Sequence, residues 1–106
     1  MGILRRKPSF NLRVLIYQEE DIWIAHCLEL DIMTANPKQS VVEKDIFDLI
    51  IAQIESAFEH GNLKNIFKPA PPEDWEKLYY ASKRCNLKKF KKPDESPFHG
   101  VELCFA

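Results

Sequence analysis

Glycine is scarce in this chain, with three in 106 residues. A loop that cradles phosphates needs glycines in a cluster, so a nucleotide site of that kind is excluded. Cysteine is also sparse. Cys27, Cys85 and Cys104 are an odd number at wide spacing, with no CxxC. That pattern argues against a disulfide framework and suits reduced thiols in a cytoplasmic protein. No apolar run approaches membrane-spanning length, and the opening MGILRRKPSF has basic residues with no apolar stretch behind them. The expectation is a cytoplasmic, unprocessed chain with no membrane contact. A strong excess of one charge is missing too. The formal net charge is −1, so no global field draws the protein onto nucleic acid or lipid.

What is present is the makings of one packed domain spanning residues 1–106, since a chain of this length holds one core and not two. Residues 1–9 have no hydrophobic period and read as a flexible leader. From there FNLRVLIY alternates, with Phe10, Leu12, Val14 and Ile16 on one face, as in a half-buried strand. QEED, residues 18–21, makes a polar turn. Residues 22–27 resume the extended pattern, 28–31 bend around Glu29 and Asp31, and 32–35 read as a short third strand. The stretch WIAHCLELDIMTA is then the middle of the sheet, with Ile24 and Ile32 buried under a covering helix.

That helix is the strongest local signal. Asn36 followed by Pro37, or Ser40 followed by Glu43, places its start between 36 and 41. Ile46, Ile50, Ile54 and Phe58 form an i, i+4 stripe, and Gly61 suits the C-terminal stop. After a proline-rich connector, Pro72 opens a second short helix with Glu73, Asp74 and Glu76 near its positive end, running to about Cys85. Residues 86–100 read as a basic, turn-rich loop, and VELCFA as a last strand. The predicted class is α+β. Its order is β-β-β-α-α-β: a three-stranded antiparallel meander, a long amphipathic helix on one face, a short helix and a C-terminal strand.

Chemistry is harder to find. His26 and Cys27 are adjacent, but neighbours on a strand point to opposite faces and cannot share a metal ion. His99 lies five residues before Cys104 and has no further ligand pattern. Cys85, beside Arg84 and Lys83, is the thiol nearest positive charge, yet it reads as the inner end of a helix packing face. A two-metal nuclease needs carboxylates on the first strand, and that strand has none. The residues therefore point to no catalytic group, no metal and no cofactor.

Two charged regions remain. Glu19, Glu20, Asp21, Glu29 and Asp31 occupy a stretch without a base and form an acidic sheet edge, a natural contact for a basic protein. Lys83, Arg84, Lys88, Lys89, Lys91 and Lys92, interleaved with Leu87 and Phe90, could contact phosphates, and a nucleic-acid-binding module built on them is the alternative reading.

The pattern over residues 10–75 resembles the HicB-like antitoxin family. Trp23 and Ala25 match an aromatic-x-Ala pair, CLELDI matches an acid-containing bend and third strand, residues 36–40 occupy the turn, and FDLIIAQIESAFEHG with PAPPEDW behind it matches the helix and its continuation. Asn36 stands where the family usually has Gly, and Glu43 where it is usually apolar. The resemblance implies a partial RNase H-like unit without that fold's catalytic acids. It also implies a homo-oligomer and a non-enzymatic role in binding a small basic HicA-like RNA-cleaving toxin. The DNA-binding segment that typical members append is not evident after the long helix.

Overall fold

The computed structural model describes residues 10–80, 85–89 and 98–106. The leader at 1–9, and with it Lys83, Arg84, Lys91 and Lys92, lies outside the described residues. Strand β1 is Phe10–Glu19, β2 is Ile22–Cys27 and β3 is Ile32–Asn36. Helix α1, Gln39–Glu59, leads to a 3-10 turn at Leu63–Ile66, helix α2 at Pro72–Tyr80, and strands β4, Cys85–Lys89, and β5, Phe98–Phe105. The expected meander, long helix, short helix and C-terminal strand are all present.

Among the described residues the sheet has five strands in the order β3-β2-β1-β5-β4. β1 pairs antiparallel with β2 and parallel with β5. The centre of the sheet is therefore β1, and the stretch 23–35 supplies its second strand and one edge. The last strand inserts between β1 and β4, and β4 pairs antiparallel with β5 on the far edge. Residues 85–89 were expected to lie in the second helix and the basic loop. Their strand was hidden because it is an exposed edge with Leu87 as its one large apolar side chain, so it has no buried face to print a period-two pattern.

One face of the sheet and α1 make the core. Leu12, Val14 and Ile16 from β1, Ala25 and Cys27 from β2, and Val101 and Leu103 from β5 meet Val42, Ile46, Ile50, Ile54 and Ala57 from the helix. Trp23 and Ile32 pack against this cluster. Ile24 does not, because it alternates with Trp23 and Ala25 and faces the opposite side. The helix stripe is the expected one up to Ile54, while Phe58 remains 40% exposed.

The ends of α1 obey local chemistry. Asn36 Oδ1 accepts the Lys38 backbone N–H at 2.9 Å, an Asx turn that feeds the helix, and Lys38 at the N-cap position makes no side-chain cap. Asn36 is not left-handed; the non-glycine residues with positive φ among those described are Glu20 and Asp31, one in each hairpin turn. Gly61, at φ +64°, closes the helix with bonds from Gly61 N to Phe58 O and from Asn62 N to Ala57 O. That pair of bonds is the Schellman arrangement, which requires a left-handed residue and so favours glycine.

If this face carries the stability, Ile50→Ala should cost about 2–5 kcal/mol in urea unfolding. Leu49→Ala, one residue away but 44% exposed, should cost less than about 1 kcal/mol. Equal costs would refute the assignment of the helix face.

Candidate functional site

The other face of the sheet carries the polar chemistry. β1 presents Arg13, Leu15 and Tyr17 there, β2 presents Ile24 and His26, and β5 presents Glu102 and Cys104, as the register requires. Three features stand on this face: a locked bend, a cleft beside α2, and a pair of cysteines.

The bend joins β2 to β3. Glu29 is 8% exposed and its carboxylate is held twice by one residue. Oε1 accepts the Arg13 backbone N–H at 2.8 Å and Oε2 accepts Arg13 Nε–H at 2.9 Å. Two residues on, Asp31 Oδ1 accepts from His26 Nε2 at 2.6 Å. His26 is buried, and its cross-strand neighbours are Leu15 and Met33, neither of them a nucleophile. Cys27 points into the core, where burial pushes its thiol up to about 12. The His26–Asp31 pair thus holds a tight turn, with no nucleophile among its cross-strand neighbours.

The bend also positions the connector between α1 and α2. Lys68 N donates to Glu29 O at 3.0 Å and Ala70 N to Leu28 O at 2.8 Å, so the connector lies against it. Trp75 Nε1 donates to Ala70 O at 3.1 Å, and the Arg13 guanidinium sits 4.9 Å from the Trp75 ring centre. These contacts dock α2 on the face opposite α1.

Between α2 and the sheet is an open cleft of about 620 Å³ lined by Leu15, Tyr17, Glu19, Glu73, Glu76, Lys77, Tyr80 and Ala106. Its lining combines the side chains of three glutamates and one lysine with apolar and aromatic groups. That ammonium is engaged, because Lys77 Nζ lies 3.8 Å from Asp74 and 5.4 Å from the Tyr17 ring centre. Burial raises the Tyr17 phenol above its ordinary value, and the carboxylates of Glu19 and Asp74 add to the effect. Such a cleft suits a cationic side chain with an aliphatic stem.

The acidic residues singled out in the sequence do not form one edge. Glu19, Glu20 and Asp21 stand exposed at the β1–β2 turn. Glu29 and Asp31 are at the opposite end of β2, about 17 Å away at strand rise, and both are already bonded within the chain. Glu73 and Glu76, which the sequence explains as helix-dipole partners, are the acids that tertiary structure brings to Glu19. Of the basic set, Lys88 Nζ lies over the Phe47 ring at 4.3 Å on the α1 side. Lys89 is in β4, and the other four lie outside the described residues.

Three unpaired thiols were expected, and the structure corrects that expectation. Cys85 and Cys104 face each other across β4 and β5 and are joined by a disulfide, with Cα atoms 4.2 Å apart. Their sequence separation of 19 hid a pairing that depends wholly on strand register. No helix among the described residues is long and apolar enough to cross a membrane. The chain matches no family model, no curated protein and no solved structure, so its function has to be read from this geometry.

Thiol titration of the unreduced chain should find no reactive group in the native state, one after unfolding, and three after unfolding with reduction; three after unfolding alone would contradict the disulfide. Glu29→Ala should cost about 2 kcal/mol in chemical denaturation, toward the low end for a buried pair because Arg13 is half-exposed. No measurable cost would sink the locked bend.

Proposed function

We propose that this protein is a non-enzymatic binding domain with the role of a HicB-like antitoxin, and that its partner is a small basic HicA-like RNA-cleaving toxin met in the cytoplasm. The observation that carries the reading is the acidic cleft, which Glu19, Glu73 and Glu76 line together with Leu15, Tyr17 and Tyr80. Its open shape admits a protruding segment, and its carboxylates complement Lys or Arg. Exposed Tyr80 in its wall and Tyr79 next in sequence offer the aromatic area that interfaces favour.

The contact surface in this proposal is narrower than the full acidic set. Glu19 with Glu20 and Asp21 supplies one side and Glu73 with Glu76 the other. Glu29 and Asp31 hold the fold that presents them. Self-association belongs to the same reading, with Ile22 at 37% and Met33 at 51% exposure leaving an apolar area on the β2–β3 side.

Calorimetry against a small basic protein encoded beside this one tests the proposal. Glu73→Lys with Glu76→Lys should weaken binding at least tenfold, about 1.4 kcal/mol, and raised salt should weaken the native complex. Unchanged affinity in the double variant would remove the cleft from the interface. Divalent-ion-dependent RNA cleavage by the purified protein alone would reject the non-enzymatic reading.

A further inference from the structure

We infer that Cys85, Cys104 and Glu102 form a binding site for a thiophilic divalent cation such as Zn²⁺ in the reduced protein, and that the disulfide and the metal are alternative occupants of one place. Cys85 and Cys104 are directly opposed in the β4–β5 register, and Glu102 is two residues before Cys104, on the same face of the same strand. The two sulfurs and a carboxylate oxygen all lie within 4.8 Å of one another, and Cys104 Sγ is 3.8 Å from Glu102 Oε1. A tetrahedral zinc ion with Zn–S bonds of about 2.3 Å sets its two sulfurs about 3.8 Å apart. Side-chain rotation at the two cysteines gives that separation once the S–S bond is open, with the backbone left in place.

The donor set selects the ligand. Two thiolates favour zinc or another thiophilic ion over magnesium or calcium, and a carboxylate as third ligand leaves one tetrahedral position for water. The surroundings are asymmetric in a useful way. Cys104 is buried at 3% exposure beside Leu15, its neighbour on β1, while Cys85 is exposed on an edge strand. A metal ion or a reductant therefore reaches the pair from the Cys85 side.

The two states exclude each other by chemistry. A disulfide sulfur is not a thiolate and does not hold the ion. A dithiol reductant delivers two electrons and two protons to the S–S bond, becoming a disulfide itself. Binding of Zn²⁺ to the two thiols formed then releases those two protons. Cys27 takes no part, since it points into the core on the other face of the sheet.

The experiment uses the full chain in two forms, oxidised and anaerobically reduced with a phosphine, titrated with Zn²⁺ against a chromophoric chelator and with Co²⁺ by absorption. The reduced chain should take up one equivalent of metal, and Co²⁺ should give a sulfur-to-metal charge-transfer band. The oxidised chain should do neither. Cys85→Ser should lower the band intensity by about half, since one of two thiolates is lost, and Glu102→Gln should weaken Zn²⁺ at least about tenfold, as even groups outside the ligand set are worth that much. Cys27→Ala should leave the stoichiometry unchanged. Absence of binding by the reduced chain, folded or not, overturns the site. So do equal binding by the oxidised chain, loss of the band in Cys27→Ala, or unchanged affinity in Glu102→Gln.

Discussion

A buried carboxylate has to be satisfied, and the way Glu29 is satisfied organises half of this molecule. Both of its oxygens bond to Arg13, one through the backbone N–H and one through the guanidinium. An unpaired charge there would cost several kcal/mol on general grounds, so the bend between β2 and β3 cannot leave the middle of β1. With the bend placed, its carbonyls at Leu28 and Glu29 accept from Ala70 and Lys68. The connector placed in this way presents Ala70 O to Trp75, and Arg13 reaches the same ring. α2 has no buried residue of its own. It is docked by the polar chain that starts at Glu29, and not by a hydrophobic stripe.

That mode of attachment explains why the two faces of the sheet differ. α1 covers one face with a continuous apolar cluster. Among the described residues the opposite face is only partly covered, because a short helix held through Trp75 leaves open space between itself and β1. The cleft, the His26–Asp31 pair and the Cys85–Cys104 pair with Glu102 all lie on this side. Polar groups collect where the packing is incomplete, since there a side chain can be positioned by neighbours and still be reached from solvent.

The charge pattern illustrates how packing reassigns roles. Glu19, Glu29 and Asp31 look alike in a stretch without a base, but β2 separates the first from the other two. Glu29 and Asp31 become internal partners of Arg13 and His26. Glu73 and Glu76, unremarkable at the start of a helix, come to line one cleft with Glu19. Acidity alone therefore did not mark the residues that line the cleft; the docking of α2 did.

Several features were legible from residue order alone because they depend on near neighbours. The alternation of Leu12, Val14 and Ile16, the stripe of Ile46, Ile50 and Ile54, and the Gly61 stop each arise from spacing or from one residue's backbone freedom; the helix start fell in the expected range, but its N-cap is Lys38 and neither Asn36 nor Ser40. β4 was not legible, because an edge strand with little to bury carries no period. The face chosen by Ile24 was not either, since alternation sorts residues into two sets without saying which set the helix covers. Pairing of Cys85 with Cys104, the insertion of β5 beside β1, and the meeting of Glu19 with Glu73 and Glu76 join residues far apart along the chain. Such contacts form only after the sheet has chosen its order and register. The sequence by itself thus determined the elements and the class, α+β, and the tertiary structure alone decided which side chains share a site.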